Sequence, residues 1–225
     1  LAEPSWFEKL YSGAMSDEYK SYMREEWGHE KRGDQPLFEK LSLEGAQAGL
    51  SWSTILAKRE GYRDAFHNFE ISKVAKMTSK DVEKLISSES ATIVRHRGKI
   101  EAVIHNAKCV EHLIAEASTS SAAPPHGHFD AYLWSFVNGK PLLNEWASAQ
   151  DIPSESPLAN ELSASLKAKG FKFVGPKICY SLMQSCGLVI DHPKGTPEHE
   201  GAKARLAARG ADHGSAGATR KRKRR

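Results

Sequence analysis

LKAKGFKFVGPKICYSLMQSC, residues 166–186, is the stretch of this sequence that decides the fold. Hydrophobic residues recur at helical spacing on both sides of a short turn that is bracketed by Gly170 and Gly175. A glycine favours the end of one helix, and Pro176 favours the start of the next. The stretch therefore predicts two helices joined by a tight turn, a helix-hairpin-helix over about residues 158–186.

This turn has the composition of a phosphate-binding hairpin. Its glycines let backbone N–H groups approach a ligand closely, and the second helix offers unpaired N–H groups and the positive end of its dipole. Lys172 and Lys177 add positive charge. Such a contact would position the protein on DNA without reading the base sequence. An ordinary αα-hairpin with a glycine cap is the alternative that the pattern leaves open.

The rest of the chain is also patterned for helices. Hydrophobic residues keep helical spacing over residues 35–69 and 100–114, while Thr78 with Asp81 forms a capping-box pattern. No strand-like alternation of any length interrupts this pattern. The sequence predicts an all-α fold, with one helical domain over residues 1–197.

A basic segment, TRKRKRR from Thr219, ends the chain. Consecutive cations repel one another, so we expect a disordered basic tail over residues 198–225. A solubility tail, a nuclear localisation signal and a non-specific DNA-binding arm are equally compatible with it.

The composition excludes several classes of protein. The chain has 225 residues, of which 40% are hydrophobic and 27% charged, and this balance is globular. Its apolar runs are too short to cross a bilayer, and we see no secretory signal. The three cysteines are too few for a disulfide framework, which favours a reducing, intracellular location.

LEGAQAGLSW, residues 43–52, places a carboxylate in apolar surroundings. Glu44 is flanked by small residues that leave room beside the backbone, and Trp52 follows eight positions later. If one helix continues that far, both side chains share a face. A carboxylate beside an aromatic plate suits a flat, cationic ligand that donates hydrogen bonds. The spacing by itself favours the alternative, in which Glu44 forms an ion pair and Trp52 belongs to the core.

Aromatic residues are dense near the N-terminus, and Tyr19 and Tyr22 are spaced to share one helix face. Aromatic rings in such a cluster stack on a base in some proteins and fill a small core in most.

In combination these segments are similar to a known family. EYKSYMREEWG, LFEKLSLEGAQAGLSWSTILAKRE, IVRHRGKI, LWSFVNGKP and GFKFVGPKICYSLMQSCGLVIDH occur in order, and each resembles a signature block of the DNA-3-methyladenine glycosylase I family. That family belongs to the helix-hairpin-helix DNA glycosylases. The resemblance implies a monomeric, cofactor-free enzyme of base excision repair. It would act on double-stranded DNA with alkylated bases and release 3-methyladenine.

The resemblance also implies roles for individual residues. Glu44 matches the family's base-recognition glutamate. The matching aromatic residues of the base pocket are Trp52, Tyr19, Tyr22, Trp6 and Trp27. Many helix-hairpin-helix glycosylases carry an aspartate after the hairpin, and Asp191 is a candidate for it, although its distance from the hairpin fits poorly.

One part of the family pattern is missing. The family carries a structural zinc with two Cys and two His ligands, but this sequence has Met23 and Thr196 at two of those positions. His192 is the single ligand retained, and one histidine does not make a tetrahedral site. We therefore expect no metal. The departure keeps two alternatives open, a relative that binds DNA or modified bases without excision, and a glycosylase with a broader range of alkylated bases.

Overall fold

The computed structural model describes residues 15–119 and 123–221, and this part of the chain is mostly helical. The α-helices are α1 (Asp17–Glu25), α2 (Asp34–Gln47), α3 (Trp52–Leu56), α4 (Arg59–Ala65), α5 (Ile71–Val74), α6 (Ser79–Ser87), α7 (Arg97–Ser118), α8 (His128–Ser135), α9 (Pro157–Ala168), α10 (Pro176–Ser185) and α11 (Pro197–Lys221). Two short strands, β1 (Leu142–Leu143) and β2 (Val189–Ile190), pair in parallel. The all-α prediction is confirmed. In the described ranges no helix is both long and apolar enough to cross a membrane.

Helix α2 is the central element of the core. Nine of its fourteen residues are buried, which leaves little of its surface in water. It packs against α3, α7, α8 and α10. A helix buried on nearly all sides is expected to be apolar all round, yet α2 carries Lys40 and Glu44 among its buried residues.

The residues predicted to begin α6 and to end α9 have the expected local structure. Asp81 accepts hydrogen bonds from the Thr78 backbone N–H at 2.7 Å and from its hydroxyl at 2.8 Å, which completes the capping box of α6. Gly170 follows the end of α9 with φ +85°, a left-handed conformation that glycine adopts without strain.

The predicted hairpin consists of α9, the turn over residues 169–175, and α10. Asn106 of α7 holds this turn with two hydrogen bonds, one to the Lys172 carbonyl at 2.9 Å and one from the Lys172 N–H at 2.8 Å. Phe173, also in the turn, packs so closely on Gly45 that a Cβ built on that glycine would lie 3.3 Å from the Phe173 Cβ. The hairpin turn therefore rests directly on α2, beside Glu44.

The expected disordered tail needs correction. Residues 197–221 form the helix α11, and its first turns are part of the domain, because His199 and Ala202 are fully buried. Arg209 pairs with Glu30, which precedes α2. Ala202, Ala204, Ala207 and Ala208 give the first part of this segment a helix propensity that the count of cations concealed. Residues 222–225 lie outside the described residues.

This packing predicts different effects for two truncations. Ending the chain after residue 197 should lower the melting temperature by roughly 5 °C, because the surface that His199 and Ala202 cover becomes exposed. Ending it after residue 209 keeps these contacts and should leave the melting temperature unchanged. Thermal unfolding of the two purified forms distinguishes the cases, and equal melting temperatures would show that α11 contributes nothing to the fold.

Candidate active site

A cavity of about 400 Å³ opens between α1, the C-terminal half of α2, the start of α3 and α10. A loop segment over residues 149–154 forms its remaining side. The residues that sequence analysis predicted for the pocket and that line this cavity are Tyr19, Tyr22, Trp27, Glu44 and Trp52. Trp6 lies outside the described residues.

Trp52 reaches the cavity by a different route from the one that its spacing suggested. Helix α2 ends at Gln47 instead of continuing, and Gly49 turns the chain with φ +75°. The Lys99 ammonium group closes the helix end by donating to the carbonyls of Ala46 and Ala48 at 2.8 and 2.6 Å. A new helix then begins at Trp52. The expectation that Glu44 and Trp52 share one helix face is therefore wrong, but the turn brings Trp52 to the same cavity as Glu44.

Three aromatic rings form one wall. Tyr19 and Tyr22 meet edge to face on α1 with ring centroids 6.2 Å apart, as their spacing predicted. Tyr22 also contacts Trp52 at 5.2 Å with the ring planes tilted by 41°. The Trp52 indole N–H is buried without a hydrogen-bond partner among the described residues. This wall can hold a flat ring.

Glu44 faces the cavity from the middle of α2 and is only 3% exposed. Burial raises the pKa of its carboxyl group to about 7, whereas Lys40 and Ser185 act in the opposite direction. A carboxylate in this position is costly for the empty protein, because it has lost most of its hydration. Such a cost is typical of a side chain that serves a ligand.

Trp27 is held in place from behind. Its ring meets the His192 ring edge to face at 4.7 Å, and the His192 Nε2 lies 3.3 Å from the Trp27 carbonyl oxygen. Gly28 permits this approach, because a Cβ at that position would lie 2.9 Å from His192 Nε2. His192 thus supports a pocket residue.

Asp191 lies behind the cavity wall, and its side chain is fully buried. Its carboxylate accepts four hydrogen bonds, from Asn144 Nδ2 at 2.6 Å, Trp146 Nε1 at 2.7 Å, Tyr180 Oη at 2.6 Å and Gln184 Nε2 at 2.8 Å. Of these donors, Gln184 lines the cavity. Asp191 is therefore placed to orient Gln184, and it has no direct access to a substrate in this arrangement.

The residues at the family's zinc positions do not fit a zinc ion. Met23 offers a thioether, and the Thr196 hydroxyl is already used, since it donates to the Pro193 carbonyl at 2.8 Å and accepts from the His199 N–H. The Nδ1 atom of His192 is buried without a partner in the described part of the chain. Across residues 15–119 and 123–221, no group of three or more His, Cys, Asp or Glu side chains could hold a metal ion.

Several polar residues of this region were not predicted from the sequence. Gln47, Ser181 and Gln184 line the cavity, and Lys40 lies buried beneath its aromatic wall. Lys40 precedes Glu44 by four positions and Gln47 follows it by three, spacings that place them on the same helix face, and this was the available signal. Ser181 and Gln184 reach the cavity through tertiary packing.

The raised pKa of Glu44 predicts how Glu44→Gln changes stability with pH. Glu44 titrates at 4.5 when unfolded and about 7 when folded, so its ionisation destabilises the fold progressively as pH rises between these values. Glu44→Gln removes that cost. The variant should match the unmodified protein at pH 4 and exceed it above pH 7 by at most about 3 kcal/mol, less what Lys40 loses without its partner. Urea unfolding across this range measures the difference, and a variant less stable at pH 8 would contradict it.

Comparisons with known proteins agree with this geometry. A family model described as methyladenine glycosylase matches residues 12–199. The chain is 45% identical to DNA-3-methyladenine glycosylase 1 of Escherichia coli (strain K12) over 82% of this chain and 93% of that protein. It is 42% identical to the DNA-3-methyladenine glycosylase of Haemophilus influenzae over 80% and 91% of the two chains. The structure of 3-methyladenine DNA glycosylase I from Staphylococcus aureus superposes with a TM-score of 0.77 at 36% identity, covering 85% and 96%. This chain therefore belongs to the methyladenine glycosylase family.

Proposed function

We propose that this chain is an enzyme that hydrolyses the N-glycosidic bond of 3-methyladenine in alkylated DNA, the first step of base excision repair. The observation that carries the proposal is the buried Glu44 carboxyl group, which faces the same cavity as the Tyr22 and Trp52 rings. Relatives with 42% and 45% identity over most of this chain have that activity by name.

The cavity suits a base that carries positive charge. A glycosylase takes its target base out of the helix stack, and a damaged base that pairs poorly costs least to extrude. In DNA, 3-methyladenine is cationic, so the faces of Tyr22 and Trp52 attract it. Glu44 can accept a hydrogen bond from its exocyclic amine, and such a charge-assisted bond is among the stronger ones. Neutral adenine gains less from the same groups.

Bond breaking needs little acid catalysis in this mechanism. The cationic base leaves with the electron pair of the glycosidic bond and becomes neutral, so no proton has to be supplied to it. Water then adds to the sugar cation at C1′ and loses a proton to solvent. The protein's contribution is to extrude, orient and hold the base in the conformation from which it leaves. A bound cation next to Glu44 also lowers the pKa of that carboxyl group and keeps it ionised.

Double-stranded DNA is the substrate in this proposal, held by the hairpin. Lys172 and Lys177 are exposed at the turn and at the start of α10. Gly175 gives α10 no side-chain cap, so N–H groups of its first turn can face a phosphate. The backbone N–H of Lys172, in the hairpin turn, is not available to a phosphate, because it donates a hydrogen bond to Asn106 Oδ1. We propose that a monomer acts in an intracellular compartment, with the nucleus and the cytoplasm both open.

Glu44→Gln tests the recognition role directly. The variant replaces one acceptor oxygen with a donor and removes the charge, so the excision rate from methylated DNA should fall roughly ten- to a hundredfold. Released bases are identified by chromatography, and we expect 3-methyladenine with little 7-methylguanine. Affinity for undamaged duplex should not change, because the hairpin makes that contact. An unmodified protein that binds methylated DNA but releases no base would favour the alternative of a binding protein without excision.

The hairpin predicts a change in salt dependence. Replacing Lys172 and Lys177 by alanine should lower the slope of log affinity against log salt by roughly one to two, because each lost phosphate contact removes about 0.9. Lys80→Ala, at an exposed position of α6, is the matched control and should leave the slope unchanged. Fluorescence anisotropy with a short duplex measures it. Equal slopes for the double variant and the control would place the DNA contact elsewhere.

A further inference from the structure

Lys40 is a buried charged residue that the mechanism above does not use. It lies in α2 one turn before Glu44, and its side chain is completely buried. A buried lysine is rare, because desolvation of an ammonium group is costly unless a partner compensates it. Its position beside a ligand cavity therefore calls for a reason other than stability.

The Lys40 ammonium group reaches the aromatic wall from inside the protein. Nζ donates a hydrogen bond to the Tyr22 hydroxyl oxygen at 3.1 Å. It lies 4.3 Å from the Tyr22 ring centroid and 4.9 Å from that of Trp52, within the range of cation–π attraction. Lys40 thus contacts both rings on which the base is proposed to stack, without itself lining the cavity.

The charges around Lys40 identify its main partner. Glu26 lies 3.9 Å from Nζ, but Arg59 binds that carboxylate through two hydrogen bonds at 2.6 and 3.0 Å and so largely neutralises it. The Cys186 thiol is protonated at neutral pH, because burial raises its pKa to about 12. Of the titratable groups that act on the pKa of Lys40, Glu44 raises it most, ahead of Cys186 and Glu26, while Arg59 lowers it. Glu44, one helical turn away on the same face, is therefore a second carboxylate beside Glu26 that the Lys40 charge compensates.

We propose that Lys40 is a positioning residue for base excision, which fixes the Tyr22 ring and keeps Glu44 ionised in the empty pocket. The inference rests on the proposed function and adds a residue to it. With the Lys40 charge present, Glu44 is already a carboxylate before the cationic base binds. Without it, Glu44 is protonated over a wider pH range, and a neutral carboxylic acid accepts fewer hydrogen bonds from the base.

The pKa values of Lys40 and Glu44 define the pH range in which both side chains are charged. Burial lowers the pKa of Lys40 to about 8, while Glu44 titrates at about 7. Both are ionised between these values. Removing the ammonium group takes away a charge that favours the carboxylate, so the pKa of Glu44 rises further. Excision should then require a higher pH.

The test is the pH profile of kcat/KM for release of 3-methyladenine from methylated DNA. Lys40→Met keeps the length of the side chain without its charge, and Lys40→Gln retains a donor for Tyr22. In both variants the fall of kcat/KM at low pH, the acid limb of the profile, should begin roughly one pH unit higher. Below pH 7 this is about a tenfold loss of kcat/KM, and the loss should disappear at higher pH. Lys40→Arg retains the charge and should keep the limb in place.

Two further variants serve as controls. Glu44→Gln should abolish the acid limb, which assigns that limb to Glu44. Lys73→Met removes an exposed lysine paired with Glu70 and should leave the profile unchanged.

Several outcomes would overturn the proposal. A folded Lys40→Met or Lys40→Gln variant with an unshifted acid limb would show that Lys40 does not set the charge of Glu44. Failure of both neutral variants to fold would show that Lys40 serves the fold instead of the pocket. Absence of base release from the unmodified protein would instead reject the proposed function itself, so the two failures are distinguishable.

Discussion

The desolvation of Glu44 inside α2 is the constraint on which the rest of this structure depends. A carboxyl group that is 3% exposed is tolerated only where its surroundings compensate it, and here a second buried charge, Lys40, lies one turn away on the same helix. The remainder of α2 must then supply the stability that these two residues cost. Its leucines and Phe38 do so by packing against four other helices. The core thus stabilises a site that would be unfavourable alone.

The same helix connects the cavity to the hairpin that α9 and α10 form. Phe173 from the hairpin turn packs on Gly45, the residue next to Glu44, and Asn106 fixes the backbone of that turn. Close packing transmits position over such short distances, because neither surface can move without opening a void. The start of α10 is therefore held at a defined distance from the cavity that Glu44 faces.

The residues at the zinc positions that the family resemblance implied have other roles in this structure. Met23 packs in the core, His192 supports Trp27, and Thr196 begins the last helix by accepting from the His199 N–H. Helix α11 then covers the segment before α2, where Arg209 pairs with Glu30. Apolar burial and one ion pair hold the first turns of α11 on the domain.

The sequence by itself determined the helical class, the two helices on either side of the turn over residues 169–175 and the capping box of α6, and it marked Glu44, Tyr19 and Tyr22 as pocket candidates. These depend on local spacing, on turn residues and on a family pattern, all of which are visible along the chain. Tertiary structure alone decided how Trp52 reaches Glu44, because α2 ends at Gln47 and the turn depends on Lys99 from a distant helix. It also decided that Asp191 is enclosed by four donors and that Lys40 lies beneath the aromatic wall. Burial is a property of all neighbours together, so no pattern within one segment can reveal it.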